Sequence, residues 1–126
     1  MTRWLIDASN VIGSRPDGWW RDREGAARRL LEALREFAEA GEDVTVVLDA
    51  GPPLWARREG TFEVAIAPRG GRDAADDEIA RRLDRDPDPA SIRVVTSDAA
   101  LAARARERGA QVEGAGTFRR RLDRAG

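Results

Sequence analysis

The sequence predicts a three-layer α/β/α domain around a mostly parallel sheet of five strands. Runs typical of strands alternate with runs of helical periodicity along the chain. Two strand-like runs, residues 44–48 and 92–96, are almost continuously apolar, as expected for strands that helices cover on both faces. Three strand-like runs end at or close to an aspartate. Because parallel strands end at one edge of a sheet, these acids are expected at a common rim.

The composition narrows the available chemistry. The 126 residues predict one domain, residues 1–126, and include neither cysteine nor histidine. These absences exclude disulfides, thiolate nucleophiles, zinc–sulfur sites and any imidazole base or ligand. All 22 basic residues are arginine, so lysine-dependent phosphate loops and Schiff bases are excluded too. Carboxylates, hydroxyls, guanidinium groups and a metal held by carboxylates remain.

Charge and hydropathy say less about function. The net charge of −1 does not mark the whole chain as a nucleic-acid binder. Arginine suits bidentate phosphate binding, but its abundance is equally typical of a biased coding composition. The chain has no long apolar run and no charged-then-apolar leader, so we expect a cytoplasmic protein without a membrane span. The oligomeric state is not predicted.

The first half of the chain opens with a predicted strand at residues 3–7. Turn residues follow, where Trp19 and Trp20 either pack beneath the sheet edge or expose a ring that can stack on a base. Asp22 is placed to cap a helix that runs to about residue 40, and Gly41 is its expected stop. The predicted buried face of this helix contains Ala27, Leu30, Leu31, Leu34, Phe37 and Ala38.

The second half continues the alternation of strands and helices. Strands are predicted at residues 44–48, 62–67, 92–96 and 111–113. Helices are predicted at residues 73–84 and 98–108, and Thr117 is expected to cap a short final helix. Residues 54–60 and 68–72 are predicted to be loops.

Six acids are expected near the carboxyl edge of the sheet. They are Asp7, Asp49 and Asp98 after strands, and Asp73, Asp76 and Asp77 in the helix that begins at this edge. Asp76 is in helical register with Ile79 and Leu83, which places it in line with the apolar stripe. It is therefore expected to face the rim of the sheet.

Several of these acids also have a local explanation. Asp73 and Asp98 can each cap a helix, Asp49 can belong to a turn, and Asp77 can be a solvated surface acid. Asp7 is the hardest to explain in this way, because it directly follows a buried strand.

A cluster of carboxylates indicates a metal site. Two unit charges 4 Å apart repel by about 4 kcal/mol at an effective dielectric of 20, so clustered acids become protonated, pair with arginine or bind a cation. Neutral oxygens beside the acids complete a ligand set for Mg²⁺ or Mn²⁺; they belong to Ser9, Asn10, Thr96 and Ser97. One or two such ions would activate water and clamp a phosphoryl oxygen, which permits phosphodiester hydrolysis without a protein base. Loop arginines are predicted to hold the nucleic-acid backbone, namely Arg15, Arg57, Arg69 and Arg72.

Five segments carry a resemblance to a known family. They are residues 5–12 (LIDASNVI), 46–50 (VVLDA), 74–79 (AADDEI), 94–98 (VVTSD) and 114–118 (GAGTF). In this order and spacing they resemble the motifs of the YacP-like branch of NYN domains, within the PIN-like nuclease superfamily. The chain departs from the motifs at Ala8, where glycine is usual, and at Ser9, where an aromatic residue is frequent. Alanine is small enough to leave the site open.

The resemblance implies a PIN-like fold with strand order 3-2-1-4-5 and a ribonuclease dependent on Mg²⁺ or Mn²⁺, typically an endonuclease. The positions that match the family's metal-binding and catalytic acids are Asp7, Asp76 and Asp98, with Asp49 and Asp77 as accessory acids. Asn10 matches the motif asparagine and, with Ser97, is expected to contact substrate. Relatives act in mRNA decay, some at the ribosome, so single-stranded RNA or mRNA is the expected partner.

Two other functions stay open at this stage. A member of the fold that binds RNA or protein without cleaving it is the main alternative. A haloacid-dehalogenase-like phosphatase is less favoured, because it needs an aspartate at Ser9 and a lysine, which the chain lacks.

Overall fold

A sheet of six strands forms the middle layer of the computed structural model, which describes residues 2–71 and 73–125. The strands are β1 (Arg3–Asp7), β2 (Asp43–Leu48), β3 (Arg57–Glu59), β4 (Phe62–Ile66), β5 (Ile92–Val95) and β6 (Gln111–Glu113). The helices are α1 (Ala8–Gly13), α2 (Arg23–Glu39), α3 (Ala74–Arg85), α4 (Ala99–Glu107) and α5 (Ala115–Ala125). Among these described residues, no helix combines the length and apolar composition needed to cross a bilayer.

The strand order is β3-β4-β2-β1-β5-β6, and every neighbouring pair is parallel except β3 with β4. Without β3, the parallel strands follow the order 3-2-1-4-5, so the expected α/β fold is confirmed. The order reverses at β1, which lies between β2 and β5. A ligand site is therefore expected beside the end of β1.

The loop predicted at residues 54–60 is wrong in part, because it contains β3. This strand pairs antiparallel with β4, from Arg57 opposite Val64 to Glu59 opposite Phe62. Its sequence is Arg-Arg-Glu, which has no apolar alternation to reveal a strand. Gly60 adopts a φ of +58° in the connecting turn, a conformation that glycine accepts without strain.

The core has two halves, one on each face of the sheet. Trp4 and Ile6 of β1 face α2 and α5, where they join the cluster that includes Leu34 and Phe118. Leu5, between them, faces the opposite side and joins the cluster of Ile79 and Leu101 from α3 and α4. This alternation along β1 shows that helices cover both faces.

The starts of several helices differ from the predictions. The short helix α1 begins immediately after Asp7, where no helix was predicted, because six residues are too few to show a helical period. Thr117 does not cap the final helix, since α5 already begins at Ala115 and the Gly114 carbonyl accepts from the Phe118 amide at 2.9 Å. The helix predicted from residue 73 begins at Ala74, and Asp73 lies before it with a φ of +64° and no side-chain capping bond.

Candidate active site

Asp7 lies at the point where β1 becomes α1. Its side chain is buried, with a residue exposure of only 2%. It caps α1, accepting from the backbone amide of Asn10 at 3.5 Å and from Asn10 Nδ2 at 2.6 Å. The strand therefore delivers the carboxyl group to the rim, and the helix start holds it there.

Asn10 connects Asp7 to the end of the neighbouring strand. While Nδ2 donates to Asp7, the other end of the carboxamide, Oδ1, accepts from the Ser97 backbone amide at 2.9 Å. Ser97 Oγ in turn accepts from the Ala115 amide at 3.2 Å, at the start of α5. This chain of bonds fixes the orientation of Asp7 against the segment that follows β5. Asn10 and Ser97, both predicted for the site, are therefore brought together beside Asp7.

Asp76 reaches the same rim from α3. Ile79, Ala80 and Leu83 of this helix are buried and Asp76 is half-buried, as its helical register predicted. Its carboxyl group lies within hydrogen-bonding reach of that of Asp7. Two carboxyl groups this close favour sharing one proton over carrying two charges.

The pKa of both acids is raised. Burial, the hydrogen bond to Asp76 and the negative charge of Asp76, in that order, raise the pKa of Asp7 to about 8. Burial raises the pKa of Asp76, and so does the negative charge of Asp98, while the hydrogen bond with Asp7 opposes this rise. Asp49 contributes repulsion to both groups. The acids are therefore close enough to act on one another electrostatically.

Asp98 occupies the start of α4, close behind β5. Its Oδ1 accepts from the Leu101 amide at 2.8 Å, and its own amide donates to Thr96 Oγ1 at 3.0 Å. Asp98 therefore caps α4, which is the structural role that its position before a helix predicted. Its negative charge also raises the pKa of Asp76. The capping bond uses one carboxylate oxygen in this arrangement.

A cavity of about 240 Å³ opens beside these acids, between α3 and α4. The acids that line it are Asp73, Asp76, Asp77 and Asp98. Arg104 lines it as well and pairs with Asp84 at 3.1 Å. Sequence patterns did not single out Arg104, but its i, i+3 spacing from Leu101 could have placed it near that residue on α4.

Asp49 lies at the end of β2 and binds two other elements. Its Oδ1 accepts from the Ala75 amide at 2.8 Å, and its Oδ2 accepts from the Ser9 hydroxyl. Ala75 belongs to the first turn of α3, whose amides have no partner within the helix. Asp49 therefore caps α3 from a distant part of the chain and fixes the helix that carries Asp76.

The predicted substrate-binding arginines lie in separate segments, and Arg57 belongs to β3 rather than to a loop. Arg15 pairs with Asp123, and Arg57 pairs with Glu59 at 2.8 Å, so neither makes an ion pair with the acidic cluster. Arg69 is exposed in the segment after β4. Arg72 lies outside the described residues.

The chemistry of the donor set fits Mg²⁺ or Mn²⁺. The side chains at the rim supply carboxylate, carboxamide and hydroxyl oxygens, which these ions prefer. Among residues 2–71 and 73–125, however, no group of three acidic side chains is already arranged to hold a metal ion.

Comparisons with known proteins identify the family and the fold. The family model of the YacP-like NYN domain matches residues 4–126. A crystal structure of a tryptophan-to-leucine mutant of Rae1 (YacP) from Bacillus subtilis is 25% identical, with a TM-score of 0.77, and the alignment covers 99% of this chain and 77% of that one. A second crystal structure of Rae1 (YacP) from Bacillus subtilis is 24% identical, with a TM-score of 0.75, and the alignment covers 99% and 75%. No protein of curated function matches the sequence.

Proposed function

We propose that this chain, which belongs to the YacP-like NYN domain family, is an endoribonuclease that hydrolyses phosphodiester bonds of RNA with Mg²⁺ or Mn²⁺. The observation that carries the proposal is the pair formed by Asp7 and Asp76. A buried strand and a separate helix bring their carboxyl groups within hydrogen-bonding reach, and the pKa of both is raised. Two ionised carboxylates so close together destabilise the fold, and a bound cation offsets their repulsion.

Asp7, Asp76 and Asp98 are the proposed ligands. A divalent ion bound there would lower the pKa of water and offset charge on the phosphate. Asn10 holds Asp7 in one orientation through the 2.6 Å bond from Nδ2. Asp77, exposed at the cavity that Asp76 and Asp98 line, is kept as an accessory acid.

We propose a different role for Asp49. Both of its oxygens accept hydrogen bonds from protein groups, Ala75 and Ser9, and its charge raises the pKa of Asp7. We therefore assign it the positioning of α3, and through α3 the positioning of Asp76.

The proposed substrate is single-stranded RNA or mRNA in the cytoplasm, with the ribosome as a proposed setting. Ser97, which is exposed and lies one residue before Asp98, is proposed to contact the RNA. The four arginines predicted from the sequence, Arg15, Arg57, Arg69 and Arg72, are proposed to contact phosphates. Guanidinium groups hold phosphate through two parallel hydrogen bonds, and such contacts position RNA without reading its sequence.

A second function, binding of RNA or protein without cleavage, has one observation in its favour. In the described part of the chain, the acids do not already form a three-membered metal-ligand group. A binding domain would retain the fold and the exposed arginines without needing that group.

One assay separates the two functions. Labelled single-stranded RNA is incubated with Mn²⁺ and wild-type protein, Asp7→Asn, Asp98→Asn or the matched control Glu107→Gln, whose carboxylate is exposed on α4. Cleavage by wild type and control, lost in both aspartate variants, is the expected result. Binding without cleavage in all four proteins would favour the non-catalytic function.

A further inference from the structure

The turn between α1 and α2 carries two tryptophans that the catalytic proposal leaves unused. Trp19 and Trp20 lie in a short 3₁₀ turn, Trp19–Arg21, and their rings meet edge to face at 5.8 Å with an interplanar angle of 86°. Trp19 is half-buried, whereas Trp20 is 48% exposed. Trp19 therefore supports one side of Trp20, and much of the second ring faces solvent.

Arginines surround this pair of rings. The Arg21 guanidinium lies 6.0 Å from the Trp20 ring centre, and that of Arg23 lies 5.6 Å from the Trp19 ring centre. Arg29, on the next turn of α2, lines an adjoining cavity of about 150 Å³ together with Trp19. In the described part of the chain, these three arginines form no ion pair. The neighbouring arginines, by contrast, are neutralised, because Arg15 pairs with Asp123 and Arg119 with Asp17.

The local charge is positive once the acids are counted. Asp17, Asp123 and Glu24 are each paired with an arginine, which leaves Asp22, whose side chain accepts from the Gly25 amide at 3.0 Å at the start of α2. The three unpaired arginines, Arg21, Arg23 and Arg29, therefore outnumber the one remaining acid. A flat exposed ring beside unpaired guanidinium groups is the combination that binds single-stranded nucleic acid, through base stacking and phosphate contacts.

The position of the turn also connects it to the acids. The helix α1 starts directly after Asp7 and has six residues, so it spans about 9 Å. Ile12, near its far end, lines the same 150 Å³ cavity as Trp19 and Arg29. The tryptophan turn is therefore connected to Asp7 through α1 and the cavity at the far end of that helix.

We propose that Trp20, with Arg21 and Arg23, forms a stacking subsite for one base of a single-stranded RNA substrate. The subsite rests on the proposed ribonuclease function for its relation to the acids, but its binding can be measured without cleavage. Its ligand is an unpaired base with its flanking phosphates, and the site is indifferent to base identity because every base presents a π face.

The test measures binding of a fluorescein-labelled single-stranded oligoribonucleotide of about 12 nucleotides, within the usual site sizes, by anisotropy in EDTA. All proteins carry Asp7→Asn, so that cleavage does not interfere. Trp20→Ala is expected to weaken binding roughly tenfold, towards the lower end of the stacking losses measured by alanine substitution. Trp20→Phe, which retains an aromatic face, is expected to stay within about twofold of the parent.

Leu54→Ala is the matched control, since Leu54 is another large exposed apolar residue, 92% exposed, away from this turn. It is expected to leave binding unchanged. Binding by Trp20→Ala equal to that of the parent would overturn the subsite. An equal loss on duplex RNA, whose bases are not free to stack, would overturn it as well.

The two proposals fail in distinguishable ways. If the Trp20→Ala loss is present but the wild-type protein does not cleave RNA with Mn²⁺, the subsite stands and the catalytic proposal falls. If cleavage depends on Asp7 but Trp20→Ala binds as the parent does, the subsite alone falls.

Discussion

The carboxyl groups of Asp7 and Asp76 lie within hydrogen-bonding reach of each other, although one residue belongs to a strand and the other to a helix on a distant part of the chain. No arginine makes an ion pair with either carboxyl group in the described part of the structure. The fold thus brings together two acids that repel when both are ionised, and it raises the pKa of each. Several measurable properties depend on this one pair.

The first prediction concerns the variant Asp7→Asn. It should abolish cleavage, because a neutral amide is a poor ligand for a hard divalent ion. It should also leave the fold intact and raise the melting temperature near neutral pH, since asparagine can keep the contact with Asn10 while removing the repulsion of Asp76 and Asp49.

Melting curves and an RNA cleavage assay check this prediction side by side. Glu107→Gln serves as the control, and its stability should change by no more than about 0.5 kcal/mol, as is usual for exposed sites. A lower melting temperature for Asp7→Asn would show that the ionised Asp7 is well stabilised and would contradict the proposed repulsion.

The second prediction is a fall in stability as the pH rises, measured in EDTA. An ordinary aspartate has a pKa of 3.8, whereas that of folded Asp7 is about 8. Between these values the folded state holds a proton that the unfolded state has lost. The free energy of unfolding therefore decreases with rising pH through this window and levels off above it.

Asp7→Asn removes this dependence and provides the comparison. The two proteins should melt at similar temperatures near pH 3, below the ordinary aspartate pKa of 3.8, where Asp7 is mostly protonated in both the folded and the unfolded state. The variant should be more stable near pH 8, by roughly 5–10 °C. Parallel pH profiles for the two proteins would show that Asp7 has an ordinary pKa.

The position of Asp76 could be predicted from the sequence, and several other features could not. Its spacing from Ile79 and Leu83 is a local helical pattern, and helix α3 does place it at the rim. The alternating runs likewise predict the parallel sheet, because each strand and helix buries a periodic apolar face. The strand β3, by contrast, has three charged residues and depends on pairing with β4.

Contacts between distant segments explain what sequence patterns missed at the site. Asp49 looked like a turn residue or an accessory ligand, yet it accepts from the Ala75 amide, 26 residues away along the chain. The loop arginines give no periodic signal, and the structure pairs Arg15 with Asp123 on α5. Such partners depend on the assembled fold and leave no trace in local spacing.

The third prediction concerns the metal. Millimolar Mn²⁺ should raise the melting temperature of the wild-type protein, because a ligand that binds only the folded state stabilises it, by about 1.4 kcal/mol at ten times its dissociation constant. The rise should be larger at pH 8 than at pH 6, since binding must displace the proton held by Asp7. Glu107→Gln should respond as wild type does, and Asp7→Asn and Asp76→Asn should not. Equal melting temperatures with and without Mn²⁺ in the wild type would count against the metal site.

The fourth prediction separates positioning from metal binding at Asp49. Asparagine can still accept from the Ala75 amide, so Asp49→Asn should keep the stability and most of the cleavage. Asp49→Ala removes the acceptor and should cost about 1 kcal/mol, as is usual for a lost helix cap. Cleavage lost in Asp49→Asn without any change in melting temperature would instead identify Asp49 as a metal ligand.

The fifth prediction concerns Asn10, which holds Asp7 with one end of its carboxamide and the Ser97 amide with the other. Asn10→Ala should cost about 1–2 kcal/mol, because it removes both bonds and leaves buried Asp7 with fewer donors. Cleavage should fall through kcat more than through KM, since the loss affects the orientation of Asp7 more than RNA contact.

Asn10→Asp keeps the shape of the side chain and tests the charge. It places another carboxyl group against Asp7, where it can no longer donate as the carboxamide does. Its destabilisation should therefore grow with pH, and more steeply than that of Asn10→Ala, which removes a donor without adding a charge. Ser9→Ala is the adjacent control, because its hydroxyl binds Asp49 rather than Asp7. If Asn10→Ala raised KM and left kcat unchanged, Asn10 would act by contacting RNA directly and not by orienting Asp7.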